Sequence, residues 1–191
     1  MKTLIAVLLA SSVHVVPAIA ADTGTDAHVA EANAIIKDFM TNLKGELQRA
    51  LKEEGPVGAI AVCNEAAPAV TRAVAAKHGW QVGRTALRLR NQDNAPDEWE
   101  RGVLDDFVAQ RMAGADPKSL SVTKVVNRDG ETLLRYMKAI PLAEKPCAVC
   151  HGTNVDPDLR AEILEFYPED EAVGFKPGEI RGAFTMSRKI D

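Results

Sequence analysis

The sequence lacks an excess of basic residues and contains few cysteines. Lys and Arg total 23 against 27 Asp and Glu, so the formal net charge is −4 at pH 7. Such a surface argues against nucleic acid or an anionic membrane as the main partner. The three cysteines are an odd number, whereas a purely disulfide-based framework needs an even one. At least one thiol therefore needs another role.

A long hydrophobic run is also missing. Lys2 precedes a mostly apolar stretch at residues 4–16, and small residues follow at 17–20, which is typical of a cleaved signal peptide. The stretch is shorter than the roughly 20 residues that a membrane-spanning helix needs, and His14 interrupts it. We therefore predict a signal peptide at residues 1–20 and one domain at residues 21–191. The mature protein is expected to be periplasmic or otherwise exported, with no stable membrane span.

The hydrophobic pattern predicts both helices and strands. Apolar residues recur at spacings of three and four along residues 29–51, which predicts a long amphipathic N-terminal helix ending at Gly55-Pro56. Further helices are expected at residues 67–77, from about Pro96, which suits a first helical turn, and in the segment opened by Asp156-Pro157. Strands are predicted at residues 85–90, 121–127, 131–140 and 181–190, the middle two joined by a hairpin at Asp129-Gly130. Helices and strands do not alternate regularly, so we predict an α/β (α+β) domain with a mostly antiparallel sheet.

A C-x-x-C-H motif at Cys147, Cys150 and His151 predicts a covalent cofactor. Two thiols three positions apart can reach the two vinyl groups at one edge of a porphyrin, and the adjacent imidazole can then reach the iron. We therefore predict one covalently bound haem c, attached through Cys147 and Cys150, with His151 as an iron ligand.

Other interpretations of the motif are weaker. A disulfide between Cys147 and Cys150 leaves His151 and Cys63 without roles. A Cys₃His zinc site formed by Cys63, Cys147, Cys150 and His151 is the stronger rival, although consecutive Cys150 and His151 are awkward tetrahedral neighbours. A chance surface occurrence explains neither the cluster nor its flanking residues.

The second axial ligand is expected upstream of the motif. Met186 is the sole downstream methionine and falls in the predicted last strand, where a packing role is more common. The upstream candidates are Cys63, His28, His78, Met40, Met112 and Met137. Cys63 has no evident partner and lies near the predicted start of a helix, where a thiolate is favoured. A buried free cysteine that packs as a small apolar residue explains it equally well.

Arginine and aromatic residues are further candidates for the haem pocket. Arg88 and Arg90 lie on one face of the strand predicted at residues 85–90 and could bind the haem propionates through charge-assisted hydrogen bonds. Such arginines are more often exposed to solvent on the surface. Four aromatic side chains could also line the pocket, but ordinary core packing explains them better: Trp99, Phe107, Phe166 and Tyr167.

Several sequence blocks in this order resemble a bacterial family of PAS-like c-type haem proteins, long described as a domain of unknown function. The blocks are AVCNEAAP at 61–68, RLRN at 88–91, NAPDEWE at 94–100, KPCAVCHG at 145–152 and IRGAF at 180–184. The resemblance implies a PAS-like antiparallel sheet with flanking helices and a long N-terminal helix. A cyanobacterial member has His/Cys axial ligation, which implies that His151 and Cys63 both bind iron here. Gln92 departs from the proline expected there, but touches neither ligand.

Three functional classes fit a haem protein of this kind: an electron carrier with an unknown redox partner, a redox-responsive sensor that could bind a small gaseous ligand, and a small peroxidase. No distal histidine is paired with a carboxylate at a motif-like spacing, so enzyme activity is the least favoured. A four-helix cytochrome is a structural alternative that the strand patterns oppose. A homodimer formed through the long first helix stays open.

Overall fold

The computed structural model describes residues 23–190. The signal peptide predicted at residues 1–20 lies outside the described residues and stays a prediction. Among the helices described, none is long and apolar enough to cross a membrane.

Helices lie in both the N-terminal and the C-terminal halves of the described chain. They are α1 (Thr23–Glu53), α2 (Gly55–Ala61), a π-helical turn (Val62–Ala66), α3 (Ala67–His78), α4 (Glu98–Met112), α5 (Ala148–His151) and α6 (Pro157–Phe166). Gly55 has a φ of +76°, a conformation that glycine adopts without steric cost, and Pro56 then fits the first turn of α2. The long N-terminal helix and its end are therefore confirmed.

The sequence placed Cys63 near the start of a helix, and this prediction is wrong. The backbone stays helical from α2 through the π-helical turn into α3, and Cys63 is inside that turn. No exposed helix N-terminus is therefore available to stabilise a thiolate there.

Within residues 23–190, four antiparallel strands form one sheet in the order β1-β4-β3-β2. They are β1 (Gln81–Thr85), β2 (Ser121–Arg128), β3 (Glu131–Pro141) and β4 (Ile180–Lys189). The hairpin between β2 and β3 turns at Asp129 and Gly130, which have positive φ values of 54° and 79°, as a type I′ turn requires. The predicted antiparallel α+β fold is confirmed, and the four-helix alternative is wrong.

The strand predicted at residues 85–90 is wrong in position. The true strand β1 ends at Thr85, whose hydroxyl donates a hydrogen bond to the carbonyl of Asn94 at 3.0 Å. This bond folds residues 86–94 back across the end of the strand. The apolar alternation there reflects side chains that pack inward from a loop, with Leu87 contacting the core beside α4. Arg88 and Arg90 are consequently loop residues.

The start of α4 also differs slightly from the prediction. The helix begins at Glu98, after Pro96, because Asp97 and Glu100 form a reciprocal capping box. The Asp97 carboxylate accepts from the Glu100 amide at 2.8 Å, and the Glu100 carboxylate accepts from the Asp97 amide at 3.0 Å. These bonds satisfy two amides that the helix itself leaves unpaired.

The sheet separates two apolar cores. On one face, α1 and α3 pack on the sheet through residues that include Phe39, Trp80 and Phe184. On the other face, α4 packs through Leu104 and Phe107. A smaller cluster joins α2 to α6. The π-helical turn, the loop after β1 and the cysteine motif meet where these layers end, and a cavity lies between them.

Candidate functional site

The cysteine motif forms one tight helical turn. The amides of Cys150 and His151 donate to the carbonyl of Cys147 at 3.3 and 3.1 Å. A Cβ at position 152 would lie 2.4 Å from the carbonyl oxygen of Ala148, so this position requires glycine. Gly152 then pairs with Phe175, and the Phe175 amide donates to the carbonyl of His151 at 3.1 Å. The motif is therefore held against the segment that precedes β4.

The imidazole of His151 is oriented for coordination. Its Nδ1 lies 2.6 Å from the carbonyl oxygen of Ala172, which can only accept, so Nδ1 carries the proton and the lone pair is on Nε2. Arg181 Nε lies farther from the same nitrogen, at 3.2 Å. Burial lowers the pKa of His151 well below its usual range, and the charges of Arg181 and Arg90 lower it further. The ring is therefore neutral, which is the form that binds metals.

A buried ion pair between Arg90 and Asp170 contacts the cysteine motif. Arg90 Nε lies 3.0 Å from Asp170 Oδ1, and the two side chains are 9% and 0% exposed. Arg90 Nη2 also donates to the carbonyl of Cys150 at 2.7 Å. Asp170 pairs in addition with Arg160 and accepts from the amide of Ala172 at 3.0 Å. The pair thus connects the loop after β1 to both Cys150 and the carbonyl that orients the histidine.

The pKa of Asp170 reflects these contacts. Burial alone would raise it, but the hydrogen bond and charge of Arg90, with smaller contributions from the Ala172 amide and Arg160, lower it below the usual value. The carboxylate is therefore charged across the ordinary pH range.

Cys63 reaches the same cavity as the motif from the π-helical turn. Burial raises the pKa of its thiol, and the charges of Arg84 and Arg90 offset only part of that effect. The helix N-terminus expected to stabilise a thiolate at Cys63 is therefore absent from the described structure, and burial favours the neutral thiol. All three cysteines are free.

The cavity brings together most of the residues singled out from the sequence. It has a volume of about 200 Å³, and its lining includes Cys63, Arg90, Cys147, Cys150 and His151. Arg88 is not among its lining residues. Instead, the guanidinium of Arg88 stacks 3.6 Å from the ring centroid of Phe175.

The other proposed axial ligands divide by position. Met137 and Met186 are buried in the apolar cores at 0% and 1% exposure, whereas Met112 is 84% exposed. Neither His28 nor His78 is among the residues described as lining the cavity, but Met40 is. Cys63 and Met40 are therefore the upstream candidates that reach the motif's cavity.

The cavity lining also includes Arg84, Arg181 and Tyr167; of these, Tyr167 was considered from the sequence, where core packing was the preferred role. Arg84 lies opposite Phe184 in the register of β1 and β4, and its guanidinium is 5.4 Å from the ring centroid of Phe39. Burial lowers its pKa. Tyr167 donates to Asn64 Oδ1 at 3.3 Å, and burial, together with Cys63, raises its pKa to about 12. The IRGAF block was the only sequence signal for Arg181, and nothing local pointed to Arg84.

The donor geometry opposes the zinc interpretation. Within residues 23–190, no group of three or more His, Cys, Asp or Glu side chains is close enough to hold a metal ion. The Cys₃His set considered from the sequence is therefore not assembled as a tetrahedral site.

Comparisons with known proteins agree with this arrangement of elements. A family model described as Tll0287-like matches residues 21–188. The chain belongs to the Tll0287-like family. A solved structure described as the cyanobacterial heme-protein Tll0287 is 21% identical, with a TM-score of 0.65 over 86% of this chain and 96% of that one. This likeness confirms the α+β fold of the chain described here. No curated protein matches it.

Proposed function

We propose that this chain is an exported monohaem c-type protein in which Cys147 and Cys150 carry one haem, and His151 and Cys63 are the axial ligands. The observation that carries the proposal is the imidazole of His151, which Ala172 fixes with its Nε2 lone pair available beside the two motif thiols. Membership of the Tll0287-like family and the likeness to a solved heme-protein support a haem rather than another cofactor.

The residues present fit such a group. A c-type haem needs two thiols within one helical turn and a neutral imidazole beside them, and the motif offers both. A second axial ligand must come from another part of the chain, and Cys63 lines the same cavity. Haem bound there would supply a one-electron Fe(III)/Fe(II) couple.

The protein's own residues control how that couple behaves. Ala172 orients His151, the pair of Arg90 and Asp170 holds the turn that contains Cys150, and a thiolate from Cys63 would favour ferric over ferrous iron. A low reduction potential follows from that ligand. The protein then acts as a redox-responsive sensor or as an electron carrier, in either case with a redox partner whose identity is open.

Spectroscopy of the purified protein tests the ligand assignment. After expression with cytochrome maturation machinery, the ferric protein should give a low-spin, thiolate-ligated spectrum. Cys63→Ala should abolish the thiolate features, while Met40→Leu, which changes the other candidate in the same cavity, should leave them intact. A spectrum unchanged in Cys63→Ala would remove Cys63 from the iron. A colourless preparation with stoichiometric zinc would contradict the haem proposal itself.

Carbon monoxide separates the sensor from the carrier. If reduction weakens the bond between iron and the Cys63 thiolate, carbon monoxide should bind readily to the reduced protein at the vacated position. Failure to bind would favour simple electron transfer. A peroxidase is disfavoured, because within the described chain the cavity lining contains no histidine other than His151 and no carboxylate to act as a distal acid or base.

A further inference from the structure

A second cavity lies on the other side of Arg181 and Gly182, which line both cavities. Its volume is about 340 Å³, at the lower end of the roughly 300–1,000 Å³ usual for small-molecule sites. Its walls are mostly apolar and come from α4, the loop after β1 and the start of β4: Leu87, Leu104, Val108, Phe175 and Ile180. The space suits a ligand with a short apolar body.

Positive charge is concentrated at this apolar cavity. The guanidinium groups of Arg88, Arg111 and Arg181 all line it. Within residues 23–190, none of the three forms an ion pair with a carboxylate. Glu179, the single acid among the described lining residues, accepts instead from the amide of Lys176 at 2.9 Å. Three guanidinium groups beside apolar walls fit an anion that has an apolar tail.

Arg111 and Arg181 are held in place by backbone contacts that leave donors free. Arg111 Nε donates to the carbonyl of Gly178 at 2.9 Å, so its two terminal nitrogens remain for a ligand. Arg181 Nη1 donates to the carbonyl of Arg88 at 3.2 Å. Burial and the nearby charge of Arg90 lower the pKa of Arg181 to about 10, so an anion bound beside it would relieve an unfavourable charge.

Arg181 connects this cavity to the candidate iron ligand. Its Nε lies 3.2 Å from Nδ1 of His151, the nitrogen whose hydrogen bond orients the ring. A carboxylate that draws the guanidinium toward the second cavity would change the surroundings of that nitrogen. Hydrogen bonding at the far nitrogen of a ligating histidine tunes the metal.

We propose that the second cavity binds a small monocarboxylate with an apolar body, and that its occupant acts on His151 through Arg181. The binding is independent of haem, whereas the effect on the iron rests on the proposed function.

Calorimetric titration of the purified mature protein tests the binding. Hexanoate is the probe, with 1-hexanol as a neutral analogue and acetate as an anion without a tail. Hexanoate should bind at least about ten-fold more tightly than either, because both the charge and the apolar body contribute. Equal binding of hexanol, or no detectable binding of hexanoate at millimolar concentration, would overturn the proposal.

Arg111→Gln should weaken hexanoate binding about ten-fold or more, since it removes one charged donor from the cavity. Arg101→Gln is the matched control, because Arg101 is an exposed arginine of the same helix and does not line the cavity. An equal loss in both variants would indicate general surface charge and contradict the site. Val108→Trp should also abolish binding by filling the cavity, and circular dichroism of each variant checks that it is folded.

The coupling has its own readout. Saturating hexanoate should shift the midpoint potential of the haem-loaded protein, and Arg111→Gln should lose the shift. Binding without any shift would overturn the coupling to His151. If the chain expressed with cytochrome maturation machinery carries no haem but still binds hexanoate, the carboxylate site stands and the proposed function fails, so the two failures are distinguishable.

Discussion

Asp170 is the residue that joins the separate parts of the candidate site. Its buried carboxylate pairs with Arg90 and Arg160 and accepts from the amide of Ala172, whose carbonyl orients His151. The sequence could not reveal this role, because an Asp among several acidic residues carries no local signal and its partner Arg90 is distant in the chain. The identity of the motif residues, in contrast, was predictable because their chemistry fixes their spacing.

Asp170→Asn should destabilise the fold by about 3–5 kcal/mol, because it leaves the guanidinium of Arg90 buried without its counter-charge. Asp158→Asn, at an exposed position of α6, should change stability by less than about 0.5 kcal/mol. Urea unfolding of the three proteins measures both effects. Equal midpoints for Asp170→Asn and wild type would contradict this role.

The lowered pKa of Asp170 also predicts a pH dependence. A carboxyl whose pKa is lower in the folded state adds stability above its ordinary pKa, near about 3.9, and that stability is lost as the pH falls through the folded-state value. As the pH falls below the ordinary carboxyl pKa, the free energy of unfolding of wild type should therefore drop steeply. That of Asp170→Asn should drop less over the same pH range. An identical acid limb in the two proteins would show that Asp170 is not the group responsible.

Arg84 is expected to tune the reduction potential. Its partly buried guanidinium lines the cavity near Cys63, and within the described chain it has no ion-pair partner. Arg84→Gln removes a positive charge that disfavours ferric iron, so the midpoint potential should fall by tens of millivolts. The exposed Arg101→Gln should leave it nearly unchanged. An unchanged or higher potential in Arg84→Gln would contradict the proposal that haem occupies the cavity that Arg84 lines.

At the scale of elements, the sequence predicted those parts of the fold that carry local signals. Helix α1 has a regular apolar stripe, and the hairpin has the Asp129-Gly130 turn. Strand β1 was missed because it contains Gly83 and Arg84 and is an edge strand, which among the strands described here pairs with β4 alone. The π-helical turn was missed because its residues have the composition of an ordinary helix. Both are set by tertiary packing, which no local pattern encodes.

The close approach of β4 to the end of β1 depends on Gly182. A Cβ there would lie 2.5 Å from the carbonyl oxygen of Thr85, so Gly182→Ala should cost about 1–3 kcal/mol through overpacking. Gly102→Ala is the matched control, because a Cβ there meets nothing within 4 Å in the middle of α4. That change should instead stabilise by about 0.5–1 kcal/mol. Thermal unfolding should separate the two variants, and a neutral Gly182→Ala would contradict the close approach.

For the whole molecule, the site exists only because the fold brings distant segments together. The π-helical turn contributes Cys63, the loop after β1 contributes Arg90, and the motif turn contributes Cys147, Cys150 and His151. Export, the periplasmic location and a homodimer formed through α1 stay predictions of the sequence. A small carboxylate in the proposed second site would act on the same histidine through Arg181, which lines both cavities.

The intact mass of the purified chain tests the central claim most directly. After expression in a cell that exports the protein and assembles c-type cytochromes, we expect the mature polypeptide plus one haem, retained after acid denaturation. The double variant Cys147→Ala/Cys150→Ala should give the polypeptide mass alone. If the wild-type chain also shows only the bare polypeptide mass under these conditions, no haem is attached through the two thiols and the account fails.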